Sequence, residues 1–226
     1  MSISTGGVLL KADLRLGDDA RGLVVFAHGS GSSRKSRNRY VARALGQRGL
    51  ATVLLDLLTA DEADTDAIDA RFRFDIPFLA RRLGQATDEL ARQKALRHLP
   101  IGYFGASTGA AAALIAAAER PSVVRGVVAR GGRPDLAGDA LAAVQAPTLL
   151  IVGSADATVL QLNRAALARM RARAALALVP GASHLFEEPG ALDEVARLAA
   201  SWFVEHLAAV ARPAGSGAQT ATIQAN

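Results

Sequence analysis

The chain has 226 residues, of which 50% are hydrophobic and only 4% aromatic, so a single domain with a large core packed by Ala, Leu and Val is expected. It contains no cysteine, which excludes a disulfide scaffold, a Cys-ligated metal and a cysteine nucleophile, and fits a reducing compartment. The formal charge is +5, but the basic residues are nearly all Arg, set along helices beside Asp and Glu without aromatic interleaving, which argues against a nucleic-acid surface.

Residues 1–7 are short and polar and do not form a charged-then-apolar leader. No apolar stretch approaches the ~20 residues that span a bilayer. The expectation is a cytoplasmic monomer or homodimer that binds neither membrane nor nucleic acid. Residues 8–16 alternate and predict an edge strand, followed by a turn at Asp18-Asp19. Residues 22–27 form a short continuous apolar run, as a strand buried on both faces requires. The loop that follows reads His28-Gly29-Ser30-Gly31-Ser32-Ser33, and a basic cluster, Arg34, Lys35, Arg37 and Arg39, comes directly after it. A helix closed by glycine is expected over 38–49 and a second buried strand over 51–57. Residues 59–69 look acidic and irregular, and 70–99 mostly helical with Pro77 near a helix start.

Downstream, strands are expected at 101–106, 123–129, 148–152 and 175–179, with helices at 110–118, 159–172 and 190–209. The domain should occupy residues 1–210. Residues 211–226 lack periodicity and a core-forming face and are expected to be disordered. Strands alternating with helices imply an α/β fold with a mostly parallel sheet covered on both faces. Chemistry in such sheets lies in loops at the carboxyl ends of strands, here those after 22–27, 101–106, 148–152 and 175–179.

Ser107 sits in Gly105-Ala106-Ser107-Thr108-Gly109, between a predicted strand and a predicted buried helix. That is the context of a nucleophile elbow, in which small flanking residues let strand and helix pass closely. The alternative is a glycine-rich loop with an incidental serine. A serine needs a general base, usually His. Of the four histidines, His98 lies on the entry side of the elbow strand and His206 in the last helix; His28 and His184 stand at carboxyl ends of strands. His28 opens the loop suited to oxyanion binding, so His184 is the base by elimination. Asp156, after strand 148–152, is the acid that would orient it; Asp135 is the rival and looks more like a helix N-cap. The oxyanion hole would combine the amides of Thr108 and Ser30.

These residues together resemble the α/β-hydrolase superfamily, in particular its small dienelactone-hydrolase-like branch. The segments His-Gly-Ser-Gly, Gly-Ala-Ser-Thr-Gly, Gly-Ser-Ala-Asp and Gly-Ala-Ser-His occur in the expected order. Related domains, some fused to phosphoribosyltransferase-like domains, carry similar Gly-Ser-Gly-Ser-Ser-Arg and Arg-Gly-Gly-Arg-Pro-Asp segments. The resemblance implies an α/β-hydrolase fold with a central sheet of about seven or eight strands. It implies hydrolysis of a small-molecule ester by Ser107, His184 and Asp156, without metal or organic cofactor. One departure bears on specificity: dienelactone hydrolases proper use cysteine where this chain has Ser107, so a general carboxylesterase is the safer expectation. The short stretch between Ala129 and Thr148 leaves little room for a lid, which favours short soluble acyl esters.

Two segments are candidates for specificity, with His28 and Gly29 beside them. Arg34, Lys35, Arg37 and Arg39 follow the oxyanion loop, and Arg130 and Arg133 follow the strand beyond the elbow. They form either a positive rim for substrates bearing a carboxylate or phosphate, or a structural set in which Arg37 or Arg39 pairs with Asp56 or Asp75. Thioesterase or amide deacylase chemistry would use the same residues. A non-catalytic binding domain is the competing class, usually marked by loss of a triad member.

Overall fold

The computed structural model describes residues 1–28 and 33–207. The tail expected to be disordered and the loop residues Gly29 and Ser30 lie outside the described residues. In chain order the elements are β1 (Ser2–Thr5), β2 (Val8–Arg15), β3 (Leu23–His28), α1 (Ser36–Gly46), β4 (Ala51–Asp56), α2 (Ala60–Asp69), α3 (Ile76–Arg92), β5 (Ile101–Ala106), α4 (Thr108–Glu119), β6 (Val124–Arg130), α5 (Ala140–Ala143), β7 (Thr148–Gly153), α6 (Ala157–Arg169), β8 (Ala174–Val179) and α7 (Ala191–His206). A 3-10 turn covers Pro134–Ala137. No described helix is long and apolar enough to cross a membrane.

The strands form one eight-stranded sheet in the order β1-β2-β4-β3-β5-β6-β7-β8. β3 to β8 run parallel, and β1 and β2 are antiparallel additions at one side. The sequence placed an edge strand at residues 8–16, but β2 is flanked on both sides and β1 takes the edge. β1 is only four residues long, so its alternation of exposed and buried positions is too brief to stand out. Gly6 and Gly7 both have positive φ, at 51° and 87°, the conformation a two-residue hairpin needs to join β1 to β2.

The continuous apolar runs are explained by burial on both faces. Val24 and Phe26 of β3 point to the layer made by α1 and α7, where they meet Val41, Leu45, Val195 and Phe203. Phe26 packs on Phe104 of β5 with ring centroids 4.7 Å apart. Leu23, Val25 and Ala27 point to the opposite layer of α3 and α4. Tyr103 is buried there; Thr87 spends its proton on the Leu83 carbonyl, so the Tyr103 hydroxyl donates to Thr87 Oγ1 at 2.7 Å. α4 is almost wholly buried, which is why its Ala-rich sequence has no polar face.

The segment expected to be irregular at 59–69 is a helix, α2. Thr59 accepts from the Glu62 amide while the Glu62 carboxylate accepts from the Thr59 amide, a reciprocal capping box. The helical run expected from residue 70 starts only at Ile76, capped by Asp75 with Pro77 in the first turn. Between the two helices the chain turns through Ala70, which is left-handed at φ 59°. The buried Asp66 holds this turn, accepting from the amides of Phe72 and Arg73 and from Arg73 Nε. After β3 the chain moves to β4 on one side, and β5 then pairs on the other side of β3. That reversal opens a crevice above the carboxyl ends of β3 and β5, with His28 and Ala106 in register beneath it.

Candidate active site

Ser107 follows β5 and precedes α4 with φ 54° and ψ −129°, a region that L-residues avoid. Its carbonyl accepts from the amides of Ala110 and Arg133, both at 3.1 Å, which fixes the turn. The flanking glycines are required by close approach. A Cβ on Gly105 would lie 2.5 Å from the Ala110 Cα, and one on Gly109 would lie 2.4 Å from the Ala27 carbonyl oxygen. Strand and helix therefore meet with no space for a side chain, and the serine is forced out over the sheet edge.

Asp156 and His184 arrive from the two neighbouring strand ends. Asp156 follows β7 and caps α6, its Oδ1 accepting from the Val159 amide at 3.3 Å. Its Oδ2 lies 2.7 Å from His184 Nδ1. A carboxylate only accepts, so the neutral imidazole carries its proton on Nδ1 and leaves Nε2 as a base. The two loops are stapled together: Ser154 N–H donates to Val179, Ala155 N–H to Ala182, and Gly181 N–H to Ser154 Oγ at 2.8 Å. Gly153 permits this approach, since a Cβ there would sit 2.2 Å from the Ala182 oxygen. Two residues beyond His184, the buried Phe186 anchors the loop in the α1–α7 layer.

Ser107 and His184 together line two cavities. One, of about 210 Å³, also takes in His28, Lys35, Arg37 and Arg130. The other, of about 420 Å³, is walled by Arg73, Phe74, Thr108, Arg133 and Val159, with Asp156 behind. The Thr108 amide, at the first turn of α4, donates to no described residue and stands at the positive end of that helix. Sequence reading missed Phe74 and Arg73, whose position depends on the buried Asp66 rather than on any motif. No cluster of His, Cys, Asp or Glu that could hold a metal occurs among the described residues.

The candidate arginines divide sharply. Arg34 is drawn away from the serine by Asp56, at 2.8 Å, and by Asp13, and it lines a separate cleft with Leu9 and Leu58. Asp56 also accepts from the Ser33 amide at 2.9 Å. Arg39 pairs with Asp13 and Arg37 with Glu187, so the partners differ from the Asp56 and Asp75 pairings expected for those two arginines. Arg133 pairs with Asp135 at 2.8 Å, and Asp135 lies inside the 3-10 turn rather than capping it. Arg130 is different: it is 7% exposed, its Nε has no partner, and no described carboxylate pairs with it. Burial pushes its guanidinium down to about 10, and the charge of Arg37 pushes the same way.

Comparison with known proteins bears on the family and the fold. The dienelactone hydrolase family model matches residues 11–209. The crystal structure of a dienelactone hydrolase from Anabaena variabilis is 54% identical, with a TM-score of 0.90 over 92% of this chain and 96% of that one. Est1E from Butyrivibrio proteoclasticus shares the fold at 17% identity and a TM-score of 0.77, over 92% of this chain and 98% of that one. Two curated relatives from strains of Mycobacterium tuberculosis, each named "Putative phosphoribosyl transferase", are 55% identical over 208 residues, 92% of this chain. The chain spans 46% of the length of these relatives. An eight-stranded, mostly parallel sheet with the crevice described above, matched by that family model over most of its length, makes this chain a member of the dienelactone hydrolase family, with the α/β-hydrolase fold.

Proposed function

We propose that this chain hydrolyses carboxylic esters through an acyl-enzyme formed on Ser107. Ser107 Oγ attacks the acyl carbon while its proton passes to His184 Nε2. The negative charge that develops on the carbonyl oxygen is met by the Thr108 amide at the start of α4, and in this reading by the Ser30 amide as well. The C–O bond then breaks, and the alkoxide leaves with the proton held by His184. A water, deprotonated by the same nitrogen, attacks the acyl carbon and releases the acid and the free serine. Asp156 holds the imidazole in the required tautomer throughout. The observation that carries this reading is the 2.7 Å Asp156–His184 contact beside a serine in a forced backbone conformation.

The two cavities that Ser107 lines, of about 210 and 420 Å³, suit the two halves of a small ester. Short soluble esters are therefore the proposed substrates. The transferase name belongs to relatives more than twice the length of the match, and the features of this site are those of acyl transfer to water. The test is steady-state hydrolysis of p-nitrophenyl esters from acetate to dodecanoate, with acetyl thioester and acetanilide comparators, by wild type and Ser107→Ala. Turnover highest for acetate and butyrate, reduced at least about 10³-fold in the variant, is expected. Undiminished turnover by Ser107→Ala would overturn the reading, and higher turnover of the thioester would reassign the acyl donor.

A further inference from the structure

Arg130 ends β6 in register with Ala106, the residue before Ser107, and lines the smaller cavity beside the serine and His184. It is more than nine-tenths buried and has no ion-pair or hydrogen-bond partner among the described residues. Phe186 is its one ring contact, with the guanidinium carbon 5.8 Å from the centroid, at the outer limit of a cation–π interaction. Every other arginine of the two basic segments has a carboxylate. Burying a guanidinium without one is costly, and folds keep such a charge where something else neutralises it.

The start of α1 also contributes to the cavity wall. Its N-cap is Lys35, which supplies no side-chain acceptor, and no acidic residue occupies the first turn. The amides of Ser36, Arg37 and Asn38 donate to no described residue, so the positive end of an 11-residue helix stands uncapped. Lys35 and Arg37 from this turn line the same cavity as Arg130, and among the described residues no carboxylate lines it. Arg37 is held by Glu187 at 2.8 Å; Lys35 has no partner among the described residues. Two unpaired cations and a helix N-terminus thus converge within reach of the nucleophile.

We propose that Arg130, Lys35 and the first turn of α1 form a phosphate-binding subsite, and that the substrate is a carboxylic ester carrying a phosphomonoester group. The proposal rests on the hydrolase reading of Ser107. A carboxylate would balance only one of the two free cations. A phosphate dianion balances both, and its three terminal oxygens have enough lone pairs for the guanidinium, the ammonium and a backbone amide of the first turn. The small volume of the cavity fits a compact headgroup, and the acyl or alcohol chain leads from it to Ser107.

The first test reads the subsite without catalysis. Inorganic phosphate is titrated calorimetrically into the Ser107→Ala protein at constant ionic strength, with acetate as the control, and again after adding Arg130→Gln or Lys35→Gln. Saturable phosphate binding, tighter than acetate and weakened at least about tenfold by Arg130→Gln and severalfold by Lys35→Gln, is expected. Phosphate binding no tighter than acetate, or binding indifferent to both changes, overturns the proposal. Lys35 is exposed, so its variant stands even if Arg130→Gln does not fold.

The second test compares kcat/KM for matched esters: 2-phosphoethyl, 2-carboxyethyl and 2-methoxyethyl acetate, and the ethyl esters of phosphoglycolic, malonic and methoxyacetic acids. In at least one series the phosphate ester should lead the carboxylate by about tenfold, and Arg130→Gln should collapse that ratio. A carboxylate preferred or equal in both series overturns the phosphate assignment. If phosphate binds but no ester is turned over, the subsite stands and the hydrolase reading fails, so the two claims fail separately. Thermal melting adds a further readout: a merely structural arginine would lower Tm when changed to Gln, whereas removing an unpaired buried charge leaves Tm equal or higher.

Discussion

At the scale of single residues, the site depends on groups that serve two purposes. Asp156 caps α6 with one oxygen and orients His184 with the other. The two duties separate in Asp156→Asn. Asn is as good an N-cap as Asp, so stability should change by less than about 1 kcal/mol. The amide no longer demands a proton on Nδ1, so kcat should fall about 10³- to 10⁴-fold. A comparable loss of both in melting and kinetic measurements would mean that Asp156 acts through the fold alone. That Ser107, Asp156 and His184 meet around one cavity was legible in the sequence because each stands in a short loop after a strand, at the carboxyl edge of the sheet. The state of Arg130 was not legible. Arg130-Gly131-Gly132-Arg133 offers two arginines that look alike in sequence, and only the fold gives one of them Asp135 and buries the other without a partner.

At the scale of elements, the turn between α2 and α3 shows where local reading fell short. Thr59-Ala60-Asp61-Glu62 has the capping-box spacing, but the run of acidic residues after it obscured the helix. The turn itself has no sequence signature. It is held by one buried carboxylate, Asp66, which gathers two amides and a guanidinium from residues six and seven positions on. That turn carries Phe74, 59% exposed, into the wall of the larger cavity. Asp66→Ala should lower stability by about 3 kcal/mol, because buried donors lose their acceptor. It should also raise KM for neutral esters more than it lowers kcat, since the proposed ester site sets Phe74 in the cavity wall, away from the reacting atoms. Chemical denaturation and steady-state kinetics on the same preparation check both, and an unchanged KM would remove Phe74 from the binding surface.

At the scale of the whole molecule, the sheet and its two helical layers were readable from alternating buried strands and helices, since a run buried on both faces has no polar positions to confuse its assignment. The N-terminal hairpin was only half readable: alternation over 8–16 gives β2, whereas the four-residue β1 adds too little signal. Stability also has a titrating element distant from the serine. His206 at the end of α7 packs against Trp202 at 4.4 Å, and its Nε2 is buried without a hydrogen-bond partner. Burial holds its pKa below the usual 6.5, with Arg173 adding to the effect and Glu205 opposing it. As pH falls through 6.5 the unfolded chain takes up the proton before the folded one does, so stability declines there. Above that range the neutral ring carries no such penalty. His206→Phe should therefore lose less Tm than wild type between pH 7.5 and pH 5.5, and an identical loss would place the acid sensitivity elsewhere.

The central claim is that folding turns Ser107 into an activated nucleophile. It is tested most directly by treating the folded protein with a fluorophosphonate and locating the adduct by intact mass and peptide mapping, beside Ser107→Ala. One adduct per chain, on Ser107 and absent from the variant, is the predicted result. A folded wild-type protein that remains unlabelled, or labels equally in the variant, would contradict it.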